Sequence, residues 1–423
     1  MTDLPGLKDG KLRDQTLLQR GPLAEALAAL NGGGEETRLV GGAVRDLALG
    51  APTEDYDLAT TAEPEEVVRR ARSAGFKVAL TGVSHGTVTV IVNGRPIETT
   101  TLRTDVETYG RRARVAFERD FVSDALRRDF TINALSVGAD GKVYDPVGGL
   151  EDLSRRRVRF IGDPESRIRE DYLRILRFFR FSAHFGGAID PPGLAAAIRC
   201  RAGLASLSRE RVRAELLKLL LEPFAGEVTR AMGHSGLLHL AVGGMAYPAR
   251  LQRLVAIESA RGAAKDAIMR LTSLTALVRE DAERVSDRLR LSNAEHRRIE
   301  AAAAALEPLH GIEAPPALKG LLKLLFSAKR QAARDALALA QAESAAAPDD
   351  PAFSTADAFL AETEEPKLPI SGADVVAQGV AAGPEIGEIL RRFQELWLEA
   401  GFPRESETLI PLLAKAIAER FRK

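Results

Sequence analysis

The sequence predicts an α/β domain followed by an all-helical remainder. Two observations carry that expectation. Thr87-Val88-Thr89-Val90-Ile91-Val92 is a β-branched run that meets Asn93-Gly94, the strongest short hairpin signal, and Ile97 to Leu102 supplies the returning strand. From Asp163 onward, apolar residues recur instead at helical spacing. At 423 residues the chain has room for about two to four domains and a sizeable core.

The elements follow in order. Residues 1–21 carry Gly, Lys and Asp with little pattern and are expected to form a loose arm. Pro22 to Leu30 reads as a short helix ended by the run Asn31 to Gly34. Leu39-Val40 runs into Gly41-Gly42, and a short helix over Ala43 to Leu49 closes at Gly50. Asp55-Tyr56-Asp57 leads into a strand, Leu58-Ala59-Thr60. Pro64 opens a helix over Glu65 to Ala74, with Gly75 just past its end, and Phe76 to Leu80 returns to strand pattern.

Arg103 to Asp124 shows no clear period. Its Arg111, Arg112, Arg114 and Arg119, interleaved with apolar and acidic residues, read as a surface charge run. Asp163-Pro164 then starts a helix predicted to run through Phe181 and end near Gly186, with Leu173, Ile175, Leu176 and Phe179 on its apolar face. Ser208 to Leu221 is a second capped amphipathic helix, ended by Glu222-Pro223. An alanine-rich helical stretch extends to about Ala347, and Pro348 to Pro351 reads as a linker. In the tail, Gly379 to Gly387 reads as a glycine-rich turn between two helices, and Trp397 as a core residue.

Hydrophobic content of 45% with 28% charged residues is ordinary for a soluble globular protein. Lys+Arg and Asp+Glu each number 59, so nucleic-acid binding would have to come from local basic patches. Cys200 is the single cysteine, which excludes an internal disulfide and fits a reducing, cytoplasmic setting. The first residues lack the apolar core of a signal peptide, and no uninterrupted apolar run is long enough to span a bilayer. The 6 histidines show no zinc spacing.

The chemistry concentrates between Arg38 and Thr60. On a strand, Asp55 and Asp57 point the same way with Tyr56 opposite. Two converging carboxylates repel unless a cation sits between them, and oxygen-only ligation suits Mg²⁺, which in turn suits phosphates. The double glycine before a helix lets phosphate oxygens approach backbone N–H groups. Alone, a paired aspartate is more often a solvated turn, and a double glycine a plain turn.

The combination is more specific. GGAVRD followed by DYD resembles the nucleotidyltransferase motif of the class II tRNA nucleotidyltransferase and poly(A) polymerase family. Arg127-Arg128-Asp129-Phe130-Thr131-Ile132-Asn133-Ala134 matches a second family motif, and Asp145 to Leu153 a third, read here as a glycine turn leaving the sheet. Glu170 to Phe181 matches the family's templating motif, and Ser208 to Leu221 is similar to the segment that supports it.

The resemblance implies an α/β nucleotidyltransferase head, a mixed sheet with helices, followed by an all-α neck, body and tail. The corresponding boundaries are 1–160 for the catalytic head, 161–225 for a base-recognising neck, 226–350 for an RNA-binding body and 351–423 for a tRNA-binding tail. It implies template-independent addition of CCA to tRNA 3′ ends from CTP and ATP, by two-metal in-line transfer with release of pyrophosphate. Asp55 and Asp57 would hold Mg²⁺. Glu98, on its own a solvent-facing strand residue, becomes a candidate third carboxylate. Gly42 and Arg45 would cradle the triphosphate, helped by Arg128, Arg177 and Arg180. Asp171 and Arg174 would read the base.

That last assignment has a physical logic. Cytosine and adenine present an amine donor beside a ring-nitrogen acceptor, whereas uracil and guanine present the reverse. One accepting carboxylate beside one donating guanidinium therefore matches C and A. On a bare helix the same residues are a solvated face with Glu170–Arg174 and Asp171–Arg174 ion pairs. The Arg103–Asp124 stretch corresponds to a family loop that helps switch between nucleotides, and its full length implies addition of the terminal A. A poly(A) polymerase shares these motifs, but its bacterial members carry a basic GRRF-like element that Ala79 to Val90 lacks. A non-catalytic RNA-binding protein on the same scaffold would be expected to lose Asp55 or Asp57.

Overall fold

The structure is a computed structural model. It describes residues 4–80, 82, 86–109 and 112–420, without the side chains of 104–116. The chain forms two compact units, Met1–Leu207 and Ser208–Lys423.

The first unit is built on a mixed sheet. Its elements are β1 (Leu7–Lys8), β2 (Lys11–Leu12), α1 (Thr16–Gln19), α2 (Pro22–Leu30), β3 (Thr37–Val40), α3 (Gly42–Ala48), β4 (Asp57–Thr60), α4 (Pro64–Ser73), β5 (Lys77–Ala79), β6 (Thr87–Val92) and β7 (Arg95–Thr101). They continue with β8 (Arg103–Tyr109), β9 (Arg112–Phe117), α5 (Phe121–Leu126), β10 (Ser136–Val137), β11 (Val143–Tyr144), α6 (Gly149–Ser154), α7 (Pro164–Glu170), α8 (Leu173–Phe185) and α9 (Pro191–Arg199). The strands lie in the order β11-β10-β3-β4-β7-β6-β5. Only β4 and β7 run parallel among these described neighbours.

Alternation sorts the side chains of this sheet. Leu39, Leu58, Thr99, Val88 and Val90 are buried on one face, which α2 and α4 cover with Leu23, Leu27, Leu30, Val67 and Ala71. Arg38, Val40, Asp57, Ala59, Thr89 and Glu98 lie on the other. The hairpin between β6 and β7 closes at Asn93-Gly94, both with positive φ as the primed turns require.

Three expectations change here. Residues 4–21 are not a loose arm. β1 and β2 pair, Gly6 N–H donates to the Ala48 carbonyl at 3.0 Å, and Leu4 and Leu12 are buried. Gly6 packs so closely on Leu47 and Ala48 that a Cβ would collide with backbone.

The stretch after Leu102 is not a periodless loop but the antiparallel hairpin β8–β9. Asp105 pairs with Val115 and Glu107 with Arg114, so Val106 is an extra residue that shifts the register partway along.

The helix expected from Pro164 to Gly186 breaks in two. Asp171 is extended (φ −155°, ψ 107°) between α7 and α8, and Tyr172 lays its ring against Gly203, where a Cβ would sit 1.9 Å from the ring. Gly186 closes α8 with φ 66°. Phe178 and Phe181 of α8 join Phe130 and Phe160 in one aromatic cluster, with centroids 4.8 to 6.3 Å apart. This cluster fixes α8 to the loop after α5.

The second unit is helical throughout its described elements. These are α10 (Arg209–Leu220), α11 (Ala225–His234), α12 (Leu237–Val242), α13 (Pro248–Arg261), α14 (Ala267–Thr275), α15 (Asp281–Leu289) and α16 (Asn293–Leu306). The rest are α17 (Leu318–Glu343), α18 (Pro351–Glu362), α19 (Gly372–Ala377), α20 (Glu385–Glu399) and α21 (Ser406–Arg420). One core joins α13, α16, α17 and α18, and another gathers Val375, Phe393 and Trp397 of the last helices. Trp397 is 2% exposed, and its indole N–H donates to the Pro403 carbonyl at 2.9 Å. α17 kinks at Lys329, whose φ of 68° and ψ of 165° are not helical.

Candidate active site

Asp57 opens β4 and stands beside Glu98 in the parallel register with β7. Asp55 precedes the strand and is exposed, as are Asp57 and Glu98, while Tyr56 between the aspartates is buried. Burying the Tyr56 ring and holding its hydroxyl 3.2 Å from Arg95 Nη1 turns both aspartates outward. The expected same-face pair is therefore present, although only Asp57 belongs to the strand.

Glu98 and Asp55 both act on Asp57. Loss of solvent pushes the Asp57 carboxyl above the usual carboxylate range, Glu98 pushes it further, Arg128 pulls it back, and Asp55 adds to the rise. Asp57 keeps accessible surface, so this desolvation belongs to an open face rather than a sealed core. An all-oxygen set with unrelieved negative charge fits a hard divalent cation by its chemistry. Among the described residues, no three acidic, histidine or cysteine side chains are already gathered around a metal position.

Gly41 links this face to a basic wall. Its φ of 72° is open to glycine, and a Cβ there would lie 3.2 Å from Arg128 Nη1. Arg128 follows α5, and its guanidinium donates to Asp124 Oδ2 through Nε (3.1 Å) and Nη2 (3.0 Å). Asp124 also takes Arg127 on Oδ1. Burial pushes the Asp124 carboxyl up, but the charges of Arg128 and Arg127 outweigh it and hold the group below the usual range. The helical spacing of Asp124 from Arg127 and Arg128 is the sequence signal that would have marked it.

A second chain of contacts runs from α3 to α8. Arg45 is buried, binds Asp46, and donates from Nη1 to Asn133 Oδ1 at 2.9 Å. Asn133 Nδ2 donates to Asp129 Oδ1 at 3.1 Å, and Asp129 Oδ2 receives Arg177 Nε at 2.7 Å. Gly42 abuts the Arg45 guanidinium. Gly42, Arg45, Arg128 and Arg177 thus converge, with Arg45 acting through Asn133 and Asp46. The Arg180 guanidinium lies 4.6 Å from the centre of the Phe181 ring.

Asp171 stands just before α8 and Arg174 lies in its first turn, with the Arg174 N–H donating to the Asp171 carbonyl at 3.0 Å. Asp171 Oδ1 accepts the Leu173 N–H at 3.1 Å at the start of α8. Arg174 binds Glu170 and donates to the Arg167 carbonyl at 2.8 Å. The third motif is the expected turn: Asp145 accepts the N–H groups of Gly149 (2.7 Å) and Leu150 (2.9 Å).

Comparison with known proteins decides the family. The Poly A polymerase head domain model matches residues 37–159, and the model described as the probable RNA and SrmB- binding site of polymerase A matches 188–243. The CCA tRNA nucleotidyltransferase 1, mitochondrial, of Danio rerio is 33% identical over 392 residues, 90% of this chain and 88% of that protein. This chain belongs to the CCA tRNA nucleotidyltransferase family.

A CCA-adding enzyme of Limosilactobacillus fermentum is 32% identical across 92% of this chain and 95% of its own length. The Bacillus stearothermophilus CCA-adding enzyme, solved in complex with CTP, superposes with a TM-score of 0.70 at 29% identity over 96% of this chain and all (100%) of that one. In this nucleotidyltransferase the matched head model starts at β3 and takes in Asp55, Asp57, Glu98, Asp124 and Asp129, together with Arg45 and Arg128. The architecture of a mixed-sheet head and a helical remainder is the one the sequence led us to expect.

Proposed function

We propose that this chain adds CCA to the 3′ ends of tRNA, using CTP and ATP and releasing pyrophosphate. The observation that carries the proposal is the Asp57–Glu98 pair on an open sheet face, next to Gly41 and the Arg128 guanidinium. Negative charge to hold a cation and positive charge to hold phosphates lie on adjoining elements. Relatives named as CCA-adding enzymes, one of them solved with CTP, support the choice of substrate.

Asp55 and Asp57 would hold Mg²⁺, with Glu98 beside them. When bound, the metal activates the attacking hydroxyl and neutralises charge developing on the phosphoryl oxygens. Arg128, poised by Asp124, meets the negative charge of the triphosphate, with Arg177 and Arg180 on α8 adding positive charge. Gly42 leaves room for a phosphate against the backbone, and Arg45 sets Asn133 and through it Asp129 and Arg177. Asp171 and Arg174 read the base once Arg174 gives up part of its bond to Glu170. The second matched model supports RNA contacts beyond the head, and we assign the neck, body and tail to 161–225, 226–350 and 351–423.

Among the described residues no helix is long and apolar enough to cross a membrane. We assign the reaction to a reducing compartment such as the cytoplasm, since the buried Cys200 is the single cysteine.

The test supplies tRNA lacking CCA with CTP alone, ATP alone and both, and sequences the product ends. Completion to CCA with both nucleotides, and stopping at CC with CTP alone, is expected. Long runs of A on unrelated RNA would make the chain a poly(A) polymerase instead.

A further inference from the structure

Asp57 and Asp55 are held in different ways. Asp57 opens β4, and its parallel register with Glu98 of β7 fixes its place. Asp55 stands outside the registers that β4 makes with β3 and β7. Its carbonyl lies 3.5 Å from Thr53 Oγ1, the outer limit of a hydrogen bond. A cation ligand needs firmer support than that, because metal affinity depends on the groups that hold the ligands in place.

The support comes from behind the sheet. Arg95 opens β7 three residues before Glu98. An odd separation puts the two side chains on opposite faces. From there Arg95 reaches the residues on both sides of Asp55. Its Nη1 donates to the Tyr56 hydroxyl at 3.2 Å, and its guanidinium carbon lies 5.1 Å from the centre of the Tyr56 ring. Its Nη2 lies 3.8 Å from Glu54 Oε2.

These contacts are unequal. The Glu54 side chain is 87% exposed, so water screens the pair and it contributes little. Tyr56 is 6% exposed, and a buried hydroxyl left without a partner is destabilising. The guanidinium also attracts the ring electrostatically. Tyr56 is bonded through the backbone to Asp55 on one side and Asp57 on the other. Fixing its ring therefore fixes the backbone between the two carboxylates.

We propose that Arg95 is a positioning residue for the cation site: through Tyr56 it holds Asp55 beside Asp57, and so sets the affinity of that pair for a divalent cation. The inference rests on the reading in which these two aspartates hold Mg²⁺. Its sign is opposite to that of a plain charge effect. A nearby guanidinium repels a metal ion, so by charge alone its removal would tighten metal binding. Positioning predicts that its removal weakens binding.

The test uses the full chain and Mn²⁺ as a paramagnetic probe, titrated without nucleotide or RNA, beside the Mg²⁺ dependence of CTP incorporation. Tyr56→Phe keeps the buried ring and removes the hydroxyl, and Arg95→Ala removes the donor. Each is expected to raise the Kd for Mn²⁺ and the half-saturating Mg²⁺ concentration by roughly 10- to 100-fold, the range for groups that orient metal ligands. At saturating Mg²⁺, kcat and the KM for tRNA should return to within about twofold of wild type. The double variant should be no weaker than Arg95→Ala, since both changes break one contact. Arg95→Lys, which keeps a charged donor, should recover part of the affinity. Folded variants with unchanged Mn²⁺ affinity, or tighter binding by Arg95→Ala, overturn the proposal. If wild-type protein binds Mn²⁺ and Asp55→Ala loses it while the Arg95 variants match wild type, the positioning role alone falls. If wild-type protein binds no Mn²⁺, it falls together with the metal-holding role of the aspartates.

Discussion

Asp124 grips Arg128 through one carboxylate oxygen and Arg127 through the other, and its side chain is only 5% exposed. One buried anion thereby orients the arginine that stands between Gly41 and Asp57. Asp124→Asn keeps the shape and removes the charge. Nucleotide KM should rise roughly 10- to 100-fold, the range for losing charged hydrogen bonds, with a smaller change in kcat, and Asp124→Glu should restore part of it. The depressed carboxyl also contributes stability above its unfolded pKa that is lost as pH falls through the folded value. Acid unfolding of Asp124→Asn should therefore be shallower below about pH 4. Equal losses in kcat and KM for every substrate would make Asp124 a purely structural residue.

Asp57 poses the opposite case. Its carboxyl is raised, so the stability it contributes is present at low pH and lost as pH rises through the folded value. Asp57→Asn should melt higher than wild type at neutral pH without metal, while transfer falls by at least about a thousandfold. Mg²⁺ should raise the melting temperature of wild type and leave that of the variant nearly unmoved. Calorimetry with and without Mg²⁺, beside a transfer assay, measures all three.

Asp171 caps the first turn of α8, and this role has to be separated from the base recognition proposed for it. Loss of the cap alone costs about 1 kcal/mol of stability and leaves nucleotide choice as it was. Loss of recognition changes the ratio of kcat/KM for CTP over UTP by roughly 5- to 150-fold. Asp171→Ala should change that ratio. A lower melting temperature with an unaltered ratio would leave only the cap.

The β8–β9 hairpin should matter more for adding A than for adding C. Deleting Glu107 to Arg114 removes the hairpin from one cross-strand pair outward. Products sequenced from this variant should end in CC. Full CCA at the wild-type rate would reduce the hairpin to a surface feature.

Lys329 carries backbone strain unrelated to the head. Its φ and ψ fall where glycine is nearly alone in being comfortable, which costs about 1–3 kcal/mol. Lys329→Gly should raise the denaturant midpoint, because the kink is retained: Arg330 N–H donates to Glu365 at 3.0 Å and its guanidinium to the Thr363 carbonyl at 3.1 Å. A lower midpoint would mean that the Lys329 side chain holds the kink.

Local patterns in the chain were enough to determine much of this protein. Pro22–Leu30 and Thr87–Val92 form where their periodicity and end signals lie, and exposure alternates across Asp55, Tyr56 and Asp57 although only Asp57 is in the strand. Such features depend on neighbours a few residues away, so spacing alone reveals them. Tertiary structure decided what spacing cannot express. Val106 inserted in β8 shifts its register with β9, and the fit of Tyr172 on Gly203 accompanies the break of a helix whose sequence period is continuous. The Asp57–Glu98 register is set by a parallel pairing of strands 41 residues apart, and the Arg45–Asn133–Asp129–Arg177 chain by side chains from three separate segments. Those contacts are made only when distant parts of the chain pack together, because a buried charge or donor must then find its partner wherever the fold brings one.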